Sequence, residues 1–171
     1  AGENMKQGKI NVCWQGQQFY SLPYESAGGY GGDEYIKYGH DPYKVIINND
    51  VYVGPKEIMP EFWKGVVEQL PDHDHFEVAI YRTPPANILP LHKDMYANFM
   101  KMHNITDVNT ITRYIVFLED CKLGHYFHVE DTCLCDWKNG DWISWTGSAP
   151  HAAYNMGIEH RFTMQVTAFD R

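Results

Sequence analysis

His92 and Asp94 stand two residues apart, and the chain offers a further histidine at 151 and an arginine ten residues later at 161. Two neutral imidazoles and one carboxylate on a rigid support make the facial ligand set that holds Fe(II) and leaves coordination positions open. Those positions let the ion chelate a bidentate cosubstrate and still take dioxygen. An arginine facing the same cavity supplies a fixed, charged fork for a carboxylate of that cosubstrate. Alone, H-x-D is a weak signal. With His151 after Pro150 and the run Arg161-Phe162-Thr163 behind it, the set points to oxygen chemistry at an iron centre.

Other pairs compete for the metal. His75-x-Glu77 and His128-x-Glu130 also place an acid two residues after a histidine. His75 lies ahead of the expected barrel, and His128 stands too close in sequence to His151. Asp72-His73-Asp74-His75 reads as a solvated turn, and His103 and His160 as surface residues. His125 and Trp145 are candidate substrate contacts, with strand and core packing as their alternatives.

The elements that must position these groups are legible from periodicity. Ile58, Phe62, Val66 and Leu70 recur every four residues, which predicts a helix over 55–70, stopped by Pro71. A shorter helix is expected over about 94–103. After residue 76 the pattern turns to β, with strands expected at 77–82, 88–93, 110–119, 125–129, 141–146, 151–156 and 161–169. Two positions apart on a strand, His92 and Asp94 share a face. On the closing strand Arg161, Thr163 and Gln165 share one face, and Phe162, Met164 and Val166 the other. Seven short strands behind a helix predict a mainly β fold, an antiparallel double-sheet jelly roll or double-stranded β-helix. At 171 residues one domain is expected. It divides into a Gly/Tyr-rich extension or flap (1–44), a supporting strand and helix (45–76) and a jelly-roll core (77–171).

Residues 81–169 resemble the catalytic core of the Fe(II)/2-oxoglutarate-dependent dioxygenases, most closely their prolyl-hydroxylase-like and small hydroxylase branches. The resemblance rests on His92-Lys93-Asp94, His151 and Arg161-Phe162-Thr163, on a central strand over 113–119, and on Asn139-Gly140-Asp141-Trp142 leading to the distal histidine. It implies that His92, Asp94 and His151 bind iron and that Arg161 with Thr163 holds the far carboxylate of 2-oxoglutarate. Tyr81 is implied as a further cosubstrate contact, and Arg113 as a contact to cosubstrate or acidic substrate. The implied reaction consumes dioxygen and 2-oxoglutarate, releases succinate and hydroxylates a substrate. The turn Gly124-His125-Tyr126 departs from the Gly-Gly-Glu turn of many prolyl-hydroxylase relatives, so their substrate does not transfer.

Bulk properties narrow the partners to a small molecule or peptide. The net charge of −8, from 14 basic and 22 acidic residues, argues against broad affinity for nucleic acid or anionic lipid. A nucleobase oxygenase of the same fold, which needs a basic groove, is therefore the weaker reading. A noncatalytic cupin-like module that binds a metal or ligand is the alternative outside enzymes. No apolar run reaches the length of a membrane span and no signal-peptide pattern opens the chain, so a soluble, cytoplasmic protein is expected. Four irregularly spaced cysteines (Cys13, Cys121, Cys133, Cys135) do not make a disulfide framework.

Overall fold

The computed structural model describes residues 5–12, 23–26, 37, 50–52 and 60–171. The elements run β1 (Lys6–Lys9), β2 (Glu25–Ser26), β3 (Asp50–Tyr52), α1 (Pro60–Val67), β4 (His75–Thr83), β5 (Asn87–His92), α2 (Ala97–His103), β6 (Ile111–Phe117), β7 (His125–Val129), β8 (Thr132–Leu134), β9 (Asp141–Thr146), β10 (His151–Asn155) and β11 (Arg161–Phe169). Cys13, the Gly28–Gly32 cluster with its tyrosines, and the strand and helix starts expected at 45–49 and 55–59 lie outside the described residues.

The strands form two antiparallel sheets, ordered β1-β9-β6-β11-β4-β3-β2 and β5-β10-β7-β8. Strict alternation on β6 and β11 builds two apolar layers. Tyr114, Val116, Phe162, Met164 and Val166 face outward, where Val66 and Leu70 from the α1 region join them with Ile80. Ile115, Phe117, Ile143 and Trp145 face inward, against Phe127, Val129 and Ala153 of the smaller sheet. Burying each such side chain contributes about 2 kcal/mol before entropy is counted. Helix α1 closes early, at Val67, because Gln69 and Leu70 donate to the carbonyls of Val66 and Val67 in tightened turns.

The predicted strands are present with ends shifted by at most two residues, the central one running Ile111–Phe117 against 110–119. Two outcomes differ more. The N-terminal segment, expected as an extension, contributes β1, which pairs with β9 and places Gly8 directly opposite Trp142. Any Cβ at Gly8 would collide with the Trp142 indole, so glycine lets the strand lie flat over a large ring. The turn into β9 uses Gly140 at φ +86°, and its carbonyl accepts from Ile10. Strand β8, three residues paired with β7, adds to the seven expected strands.

Candidate metal centre and anion clamp

His92 is the last residue of β5 and pairs directly with His151, the first residue of β10. The two histidines therefore come from adjacent, hydrogen-bonded strands of the smaller sheet. Their ring centroids lie 4.2 Å apart. Asp94 is off the strand: the β5 ladder ends at His92, and the chain turns through residues 93–96 into α2. Tyr96 makes that turn in the left-handed region (φ 53°), and Ser148 donates its hydroxyl to the Asp94 carbonyl. A loop clamped from a neighbouring segment thus sets the carboxylate, where strand alternation was expected to.

The donor atoms converge. Asp94 Oδ1 is 3.7 Å from His92 Nε2, and Asp94 Oδ2 is 3.5 Å from His151 Nε2. His92 Nδ1 donates to the Pro90 carbonyl at 2.7 Å, and His151 Nδ1 to the Ala149 carbonyl at 2.9 Å. A carbonyl only accepts, so both rings carry a proton on Nδ1 and turn Nε2 toward Asp94. That is the orientation a metal ligand needs, fixed by backbone partners. Burial lowers the His151 pKa to about 4, so the ring is neutral at pH 7. Burial pushes the Asp94 carboxyl up, but Arg113 and the two imidazoles more than offset it, and the pKa lies below the ordinary value.

Arg113 lies beside the donor set and lines the cavity next to it. It faces the interior from β6, as alternation requires, and its Nη1 reaches Asp94 Oδ2 at 3.2 Å and its guanidinium lies 4.9 Å from the Tyr96 ring centroid. It pairs with the carboxylate and balances its charge, a contact the spacing of the sequence did not reveal. A cavity of about 460 Å³ lies beside this group, lined by His92, Asp94, Arg113, Gln165, Thr167 and Glu77.

Arg161 begins β11 and is 4% exposed. Its guanidinium carbon sits 5.4–5.9 Å from the ring centroids of Phe117, Phe127 and Trp137, all side chains of the inner layer. Its Nε and Nη2 have no hydrogen-bond partner among the described residues. Burial lowers its pKa to about 10, partly offset by Cys121, and still leaves it charged at neutral pH. Phe127 links the two groups, with its ring 6.5 Å from that of His151 and 5.7 Å from the Arg161 guanidinium. Thr163 and Tyr81 sit directly opposite one another across β11 and β4, on the face that carries Arg161.

The remaining candidates are packed into the fold. Trp145 is buried in the inner layer with its ring 4.9 Å from His151. Trp142 faces the other way, against Tyr114. His125 donates Nε2 to the Glu159 carbonyl, four positions along β7 from the residue that pairs with His151. His73 is no solvated turn residue: it bridges Asp170 at 3.2 Å and Tyr114 Oη at 2.7 Å. His103 is likewise not a surface residue, being packed between Phe99 and Phe169.

No protein-family model and no curated protein matches the chain. Solved structures do. An oxidoreductase of the 2OG-Fe(II) oxygenase family from Burkholderia pseudomallei superposes with TM-score 0.55 at 12% identity, over 88% of this chain and 74% of that one. The fold is a double-stranded β-helix. A Pseudomonas putida prolyl-4-hydroxylase (TM-score 0.46, 15% identity, 74% and 71% covered) and a predicted oxalate decarboxylase from Thermotoga maritima (0.42, 14%, 71% and 81%) are also similar.

Proposed function

We propose that the protein is an Fe(II)- and 2-oxoglutarate-dependent oxygenase that hydroxylates a peptide side chain or small metabolite. The observation that carries this reading is Arg161. A buried guanidinium with two unpartnered donor atoms, ringed by aromatics, is an energetic liability unless an anion completes it. A planar carboxylate is the chemical match. The donor set of His92, Asp94 and His151 supports the other half, because backbone carbonyls anchor Nδ1 of both histidines and aim their Nε2 atoms at the carboxylate. The oxygenase-family neighbour of the same fold is consistent with the pairing.

In this reading His92, Asp94 and His151 hold Fe(II), while Arg161, Thr163 and Tyr81 hold the distal carboxylate of 2-oxoglutarate. Bound iron supplies the oxidation: 2-oxoglutarate and dioxygen give succinate and carbon dioxide, and one oxygen atom enters a substrate C–H bond. The chain's own residues orient and shield. Pro90 and Ala149 carbonyls lock the imidazoles, and Arg113 fixes Asp94 and lowers its proton affinity. The inner aromatic layer keeps water from the clamp, which strengthens every charge interaction there.

The test is succinate formation from 2-oxoglutarate with added Fe(II) and candidate amino acids, peptides and oligonucleotides. Turnover abolished by His151→Ala is expected. Arg161→Ala should raise the apparent KM for 2-oxoglutarate at least tenfold while changing iron affinity far less. Iron binding without any succinate would leave a noncatalytic cupin-like binding module as the correct reading, and product from oligonucleotides alone would favour a nucleic-acid substrate.

A further inference from the structure

A separate cluster adjoins the same cavity, which it reaches through Glu77. His75 and Glu77 are two positions apart on β4 and share its inward face, and His103 arrives from the end of α2. Each offers one donor atom, and the three atoms lie within 4.8 Å of one another. His103 Nε2 is 2.7 Å from Glu77 Oε1, and His75 Nε2 is 3.8 Å from the same oxygen. The two imidazoles lie 4.5 Å apart, with Phe169 5.0 Å from His75 and 5.1 Å from His103. Phe99 closes the third side at 4.6 Å from His103.

We propose that His75, Glu77 and His103 form a second transition-metal site, distinct from the His92, Asp94 and His151 group. Two nitrogens and one carboxylate oxygen are the donor set of open zinc sites, and imidazole also suits Ni(II), Cu(II) and Co(II). Glu77 pairs with Thr167, and Thr167 with Arg113, which holds Asp94. Two interstrand steps amount to roughly 10 Å. A bridged two-metal centre needs about 3.5–4 Å, so the two sites take their ions independently. Glu77 is half exposed and lines the cavity, so an ion there keeps open positions toward it. Such an ion would anchor an anionic or nitrogen-bearing group of whatever occupies that space. The aromatic walls restrict both imidazoles before the ion arrives, which lowers the ordering cost of binding.

Calorimetric titration of the metal-free protein with Zn(II) at neutral pH tests this. The wild type is expected to take two tight equivalents, and Glu77→Gln and His103→Ala one each, with unchanged circular dichroism. Co(II) added to the wild type should shift ring-proton resonances of His75 and His103 with the second site's saturation, a readout that needs no variant. Less than a tenfold loss of affinity in both variants, or unshifted His75 and His103 resonances, would overturn the second site. His151→Ala separates it from the reading above. If that variant alone loses an equivalent, only the second site fails; if Glu77→Gln alone does, only the first.

Discussion

His151 carries the acid sensitivity of the metal-free protein. Its folded pKa, about 4, is depressed from an ordinary 6.5. Between those values the unfolded chain binds more protons than the folded one, so stability rises with pH across that window. The contribution is complete above pH 6.5 and lost progressively down to pH 4, at a cost on the order of 3 kcal/mol. His125, whose pKa burial also lowers, acts in the same direction. Asp94, held low, adds its loss only below the ordinary carboxylate range. Urea midpoints of metal-free protein should therefore fall between pH 6.5 and 4.5, and fall less in His151→Asn. A flat wild-type profile would contradict the buried, neutral imidazole. The triad itself was legible because H-x-D, histidine and R-x-T are written as short motifs. The Arg113–Asp94 pair was not, since it joins β6 to a loop that alternation does not describe.

At the scale of elements, one side chain ties the two sheets together. Asn155, the last residue of β10, donates Nδ2 to Thr83 of β4 at 2.8 Å and to Glu159 at 2.7 Å, and its Oδ1 accepts from Gly157. It is fully buried. Truncation would remove the side-chain donor to the Thr83 carbonyl and unhook the turn into β11. Asn155→Ala is expected to cost about 2–3 kcal/mol and lower the melting temperature by roughly 5–10 °C, read by calorimetry. Because β11 starts just after this turn, the variant should also weaken the response to 2-oxoglutarate. The strands themselves were readable from period-two patterning, whereas β1 was not. Its sequence Lys-Gln-Gly-Lys has no apolar face, and it is placed by backbone pairing and by room for the Trp142 ring.

Across the whole molecule, a charge is stored where the fold would be more comfortable without it. Arg161 keeps its cation in the inner layer at a desolvation cost that nearby rings only partly offset. Arg161→Met should fold with a melting temperature equal to or above wild type. Wild type should gain stability from millimolar 2-oxoglutarate or a matched dicarboxylate, by about 3 kcal/mol at a hundredfold excess over Kd, and Arg161→Met should gain none. A differential scanning experiment decides it; a destabilised Arg161→Met that still responds would sink the clamp. Such trade-offs are invisible in the sequence, where Arg161 is one of 14 basic residues. The R-x-T motif marks the residue, whereas its burial depth is set only by the closed pair of sheets. Among the described residues no helix is long and apolar enough to cross a membrane.

The indole of Trp145, tilted against the His151 ring, makes the molecule its own optical sensor. An open-shell ion captured by that histidine sits within quenching range of the ring, so emission should dim in proportion to occupancy. Loading could then be followed in real time without a label or a substrate.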